Sequence, residues 1–151
     1  MAKNSKFYKM RQKYLSHPLQ GLGAHILYWF FAAMPIDMAS NFAGRLMRNL
    51  GPKMGQTKKA RNNLTRAFPE KSKDEIEEIV ADMWENLGRS AGEIPHLHKL
   101  QPGGPRIEIV GLEHGLASRD DGKPGLFFTG HIGNWEVSMC IATVLGMDMM
   151  S

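Results

Sequence analysis

Residues 125–136 read Gly125-Leu-Phe-Phe-Thr-Gly-His-Ile-Gly-Asn-Trp-Glu136, and the class of the whole chain turns on what they form. Leu126 to Phe128 is a short apolar run between glycines, the pattern of a buried strand. Gly130 and Gly133 permit a tight turn, since glycine adopts backbone conformations closed to other residues. From Trp135 to Leu145 the apolar residues recur at helical spacing. This places His131 at the carboxyl end of a strand and Glu136 in the first turn of the next helix. Open α/β sheets build their sites in that crevice. An imidazole held near a carboxylate there is the minimum equipment of a general base.

Outward from this stretch the carboxyl half continues the same pattern. Arg106 to Val110 alternates like a strand, Leu112 to Ser118 reads as a short helix, and Asp121-Gly122 as a turn. Strand, helix, strand and helix in that order predict an α/β fold, the beginning of an open parallel sheet. The sequence reaches Ser151 where a third strand is expected to start. Two parallel strands leave their edges unpaired, so the reading is of a truncated chain, part of a longer protein.

Towards the amino terminus the pattern is helical. Ser72 and Glu75 make a capping box, and Asp74, Glu77 and Glu78 suit the positive end of the helix that follows. Ile76, Ile79, Val80, Met83, Trp84, Leu87 and Ala91 form one continuous stripe to about Gly92, a core-packing face that gives Trp84 no chemistry. A basic helix is predicted over Thr57 to Ala67. Pro35 and Asp37 suit another helix start, with Ala39, Phe42, Ala43, Leu46, Met47 and Leu50 on its apolar face and Gly51-Pro52 at its end. Arg45 and Arg48 lie off that face, where they are free to meet phosphates. Gln101 to Pro105 is a connector. Internal repeats and low-complexity tracts are not apparent.

Charge divides the chain. Residues 1–66 hold 12 Lys and Arg against one acid, Asp37, whereas residues 67–151 hold 7 against 14. A basic half of this kind points to a membrane surface or a nucleic acid, or simply to a solvated cationic face. Lys3, Lys6, Lys9, Arg11 and Lys13 alternate with Phe7, Tyr8, Met10 and Tyr14, and the largely apolar segment Leu19 to Met34 follows. No nucleic-acid module needs such a run. Its 16 residues reach about 24 Å as a helix, short of the roughly 30 Å of bilayer hydrocarbon. Residues 1–35 therefore read as a basic and apolar membrane anchor that lies in or dips into one leaflet. A buried core helix is the alternative.

Cys140 is the single cysteine, which excludes an internal disulfide, and it reads as a small helix core residue. His96 and His98 are the nearest approach to a metal-ligand pair, and no third ligand accompanies them, so no metal is expected.

The spacing His-x4-Glu is weak alone. Six histidines and 15 acids in 151 residues give about 0.6 chance matches. Only His131 produces one, and without its setting a turn cap is the better reading of it. The setting is specific. Thr129-Gly-His-Ile-Gly-Asn-Trp-Glu136 resembles the signature of the lipid A biosynthesis late acyltransferases, which add lauroyl or myristoyl chains to lipid A precursors. Arg61-Asn-Asn-Leu64 with Ala67-Phe-Pro-Glu70, and Met83-Trp-Glu-Asn-Leu-Gly-Arg89, resemble the same family in the same order. Glycerophospholipid acyltransferases typically show Asn-His-x4-Asp. Gly130 before His131 and Glu136 in place of Asp favour the lipid A branch.

The resemblance implies one partial acyltransferase domain over 1–151 on the cytoplasmic face of the inner membrane. It implies acyl-acyl carrier protein as donor, a lipid A precursor as acceptor, no cofactor, and no nucleic acid. His131 corresponds to the family's catalytic histidine and Glu136 to its carboxylate. The chemistry expected is direct transfer, with Gly133, Asn134 and Trp135 as substrate-binding residues through their backbone N–H groups. Trp135 suits either an acyl groove or a core. Ser138 and Cys140 stand one and two turns into the helix, away from a nucleophile's position. The alternatives are a non-catalytic membrane-binding fragment, and transfer to another lipid acceptor such as a lysophospholipid.

Overall fold

Ser72 starts the longest helix as its sequence dictates. Its hydroxyl accepts from the Glu75 N–H at 3.3 Å, and the Glu75 carboxylate accepts from the Ser72 N–H at 2.8 Å. Two donors left open by any helix start are satisfied by this exchange. The structure, a computed structural model, describes residue 10 and residues 12–100, 103–138 and 145–146. A π-helical turn, Gln12–Ser16, leads into α1 (His17–Ala32), followed by α2 (Ile36–Leu50) and α3 (Thr57–Ala67). Then come α4 (Lys73–Glu93) and α5 (Leu112–Asp120), with 3-10 turns at Gly51–Lys53 and Ile94–Lys99.

The centre is the pair α2 and α4. Ser40 meets Glu93 near one end, and Arg48 meets Glu78, Asp82 and Glu85 toward the other, so the helices run antiparallel. Small residues let the backbones approach. Ala39 and Ala43 on α2 lie against Gly88 and Gly92 on α4. A methyl group added at Gly92 would stand 2.6 Å from the Ala39 carbonyl oxygen, too close to accommodate. The buried line of α4 therefore takes every fourth residue, Ile76, Val80, Trp84, Gly88 and Gly92. The apolar stripe predicted from sequence is rotated away from it at one end. Leu87 and Met83 are partly exposed because glycines, not bulky side chains, make the closest contact.

A buried hydrogen-bond relay fastens α3 to this pair. The Trp84 indole covers Gly51, its N–H donates to Thr57 Oγ1 at 2.9 Å, and the Thr57 hydroxyl donates to the Gly51 carbonyl at 2.7 Å. Arg61 reinforces the joint by donating to the Pro52 carbonyl and Glu77, both at 2.8 Å. At the opposite end His96 is buried, with Nε2 at 3.0 Å from the Phe31 carbonyl and Nδ1 at 3.4 Å from the Lys99 ammonium. A carbonyl only accepts, so the ring proton sits on Nε2. This ties the turn after α4 to the end of α1.

Helix α1 is otherwise open. Of its side chains only Phe31 is buried, while Leu22, Ile26 and Leu27 are exposed and Trp29 is 67% exposed. The Phe42 ring of α2 continues this apolar surface, with centroids 5.9 Å from Phe30 and 6.4 Å from Phe31. Among the described residues no helix is long and apolar enough to cross a membrane.

The α/β expectation is overturned. Among the described residues there is no strand and no sheet. Residues 107–109 and 124–130 are irregular, and Leu126 and Phe128 are 80% and 89% exposed. An isolated pair of parallel strands satisfies few backbone groups and covers little apolar surface. His131 therefore follows an irregular loop, not a strand. The expected helix over Trp135 to Leu145 is helical at residues 136–138, and Cys140 lies outside the described residues.

Candidate active site

Among the described residues, the turn that holds the His131 motif meets the helical core at Gly133 and Asn134. Residues 121–132 are exposed throughout, whereas 133–138 are partly buried. Gly133 adopts φ +59°, a left-handed conformation that favours glycine, and it turns the chain onto α4. Ser90 Oγ stands 3.2 Å from the Gly133 carbonyl and 3.0 Å from the Asn86 carbonyl, sharing one proton between them. The Asn134 amide donates to Glu93 at 2.8 Å. The other Glu93 oxygen accepts from the Ser40 hydroxyl at 2.7 Å. One carboxylate thus joins α2, α4 and the motif turn.

The five predicted site residues lie on this turn. Val137 N–H donates to the Asn134 carbonyl at 3.2 Å and Ser138 N–H to the Trp135 carbonyl at 3.0 Å, starting the helical turn at Glu136. The His131 ring is exposed and packs on the Trp135 ring, with centroids 4.8 Å apart and planes tilted by 45°. Among the described residues no hydrogen bond joins His131 to Glu136. The Asn134 Oδ1 atom is buried without a partner. Turning the amide over would set that oxygen against the Glu93 carboxylate, so the orientation is fixed by charge.

Sequence reasoning missed Glu93, Ser90 and Ser40. One signal was present: Glu93 closes α4, where the helix dipole disfavours an anion, and such a residue needs a donor to hold it.

The basic residues divide into two groups. Arg48 is taken by Glu78, Asp82 and Glu85, and these bonds raise its pKa above the ordinary guanidinium value, first through Asp82. It is not free to meet phosphates. Arg61 is likewise raised by its bond to Glu77. Arg45, Lys53, Lys58 and Lys59 are exposed, and among the described residues none pairs with a carboxylate. Arg45 borders a shallow groove of about 520 Å³ lined by Met38, Phe42, Leu46 and Leu50. Among the described residues no three His, Cys, Asp or Glu side chains converge as a metal site.

With an accessible imidazole beside an aromatic ring, an acid opening the following helical turn, and a core that anchors both, the chain can be set against known proteins. No curated protein and no solved structure matches it. Its residues 8–150 match the family model described as bacterial lipid A biosynthesis acyltransferase. The match spans the helical core as well as the His131 turn, and the chain belongs to the bacterial lipid A biosynthesis acyltransferase family.

Proposed function

We propose that the protein transfers a fatty acyl chain from an acyl-acyl carrier protein thioester to a hydroxyl group of a lipid A precursor. In this reading residues 1–151 are part of one acyltransferase domain that works at the cytoplasmic face of the inner membrane. His131 takes the proton from the acceptor hydroxyl while its oxygen attacks the thioester carbonyl. The ester C–O bond forms, the C–S bond breaks, and the imidazolium returns the proton to the departing thiolate. No metal or redox cofactor enters this balance.

Glu136 supports the step by accepting the second ring N–H and stabilising the imidazolium. Catalytic hydrogen bonds of this kind commonly tighten only in the substrate complex. Backbone N–H groups of Gly133, Asn134 and Trp135, ahead of a helical turn, are suited to the thioester oxyanion. Trp135 then borders the reacting chain. A lipid acceptor also suits the open apolar surface of α1 and α2 with Arg45, Lys53, Lys58 and Lys59 as its cationic company.

The observation that carries this reading is the accessible His131 ring on a turn docked to the core of a lipid A acyltransferase family member. The test is acyl transfer by the full-length protein with acyl-acyl carrier protein and a lipid A precursor. His131→Asn and Glu136→Gln should each lower the rate by about 10²–10⁴ while leaving vesicle binding intact. Unaltered rates in both would overturn the assignment. Transfer to a lysophospholipid in preference to a lipid A precursor would reassign the acceptor.

A further inference from the structure

The geometry points to Glu93 as the positioning residue of the acyl-transfer site, holding the His131 turn in register through Asn134. This rests on the reading of His131 as the base. Glu93 makes two hydrogen bonds of different use. One, from Ser40 at 2.7 Å, fixes the carboxylate against α2, and the other, from Asn134 at 2.8 Å, spends that rigidity on the motif.

Four observations separate this from an ordinary surface contact. The chain from 121 to 132 is exposed, so Gly133 and Asn134 are where the turn first meets the core. The Asn134 side chain lies three residues from His131 and next to Trp135, whose ring packs on the imidazole at 4.8 Å. Its Oδ1 atom is buried without a partner, a cost the turn bears so that its amide can face Glu93. Ser90, one turn earlier on α4, meets the Gly133 carbonyl and keeps the same segment from rotating. Glu93 touches no reacting atom. It acts by fixing where the imidazole and the neighbouring N–H groups stand, and small displacements of such groups cost rate rather than affinity.

The pair can be inverted, which makes the inference testable apart from folding. Asn134→Asp sets two carboxylates face to face. Glu93→Gln in the same chain restores a donor opposite an acceptor, and its remaining amide oxygen still accepts from Ser40. The full-length protein carrying Glu93→Ala, Asn134→Asp, or Glu93→Gln with Asn134→Asp is assayed for acyl transfer. The His131 ring signals are followed by NMR and helix content by circular dichroism. Glu93→Ala and Asn134→Asp should each lower kcat at least about tenfold with the donor KM within about twofold, shift the His131 signals, and leave helix content unchanged. The double variant should recover to within about threefold of the parent and restore those signals.

A double variant as slow as Asn134→Asp, or a Glu93→Ala protein with parental kcat and unmoved His131 signals, would overturn the proposal. His131→Asn is run beside them. If it retains parental activity, the base assignment has failed, whereas an inactive His131→Asn with a fully active Glu93→Ala removes only the role given to Glu93.

Discussion

The Trp84 indole N–H donates to Thr57 Oγ1 at 2.9 Å, and that hydroxyl passes its own proton to the Gly51 carbonyl at 2.7 Å. Thr57 is fully buried, so neither group has water to fall back on. Thr57→Val keeps the shape and removes both bonds. It should lower unfolding free energy by about 1–3 kcal/mol, the cost of stranding buried polar groups. Thr57→Ser retains the hydroxyl and should lose less than about 1.5 kcal/mol. Urea unfolding followed by circular dichroism checks the order. A smaller loss in Thr57→Val than in Thr57→Ser would show that the methyl group, not the relay, secures α3.

Glycines in α1 and α4 should respond in opposite directions. A methyl at Gly88 collides with the Ala43 carbonyl and with Met47 across the α2–α4 contact. Gly88→Ala is therefore expected to destabilise by about 1–3 kcal/mol through overpacking. Gly21 sits inside α1 with nothing near the position of an added methyl. Gly21→Ala should gain about 0.5–1 kcal/mol in helix stability. Thermal melts of the two variants in one buffer distinguish the effects.

Several carboxylates couple stability to acid. Arg106 holds Asp37 below its usual range, Arg61 does so for Glu77, and Arg89 for Glu85. Glu75 is lowered first by the Ser72 backbone N–H of the capping box. A folded value below the unfolded one means the folded chain holds its protons less tightly. The linked stability is thus fully present above the unfolded carboxylate pKa, near about 4, and is lost as pH falls through the lowered folded values. The pairs are exposed or only partly buried, and each contributes little alone. The urea midpoint should fall between about pH 5 and pH 2, and Arg61→Met should flatten part of that slope. An unchanged slope in Arg61→Met would show that Glu77 does not titrate differently on folding.

How much of this was legible follows from which signals are local. The capping box at Ser72, the breaks at Pro35 and Gly51-Pro52, and the span Thr57 to Ala67 act within a few residues, and the helices form where those signals put them. The stripe of α4 was misjudged at its far end. Apolarity marks which residues can be buried, whereas Gly88 and Gly92 decide how closely α2 approaches. The strands failed for a related reason. Leu126 to Phe128 has strand composition, but a strand exists only with a partner, and no local pattern reports one. His131 and Glu136 were singled out by spacing and context. Glu93 and Ser90, some 40 residues earlier, escaped because their role appears only when the turn is folded back onto α4.

The open apolar surface gives the last prediction. Leu22, Ile26, Leu27 and Trp29 on α1 are exposed, and Met38, Phe42, Leu46 and Leu50 on α2 extend the same kind of surface beside Arg45. The 16 residues of α1 span about 24 Å, too short to cross about 30 Å of hydrocarbon but long enough to lie along its boundary. A cation beside an apolar face matches an anionic lipid surface, where the ring of Trp29 would leave water. With Trp135→Phe as the common background, vesicles containing anionic phospholipid should shift the tryptophan emission to the blue, and Trp29→Phe should remove most of that shift, because the remaining Trp84 is already buried. Leu46→Asp should weaken vesicle partitioning about tenfold. Arg45→Glu should make it weaker mainly at low salt, where surface charge is least screened. Emission from Trp29 that ignores vesicles while the chain stays helical would overturn the reading of this face as a lipid contact.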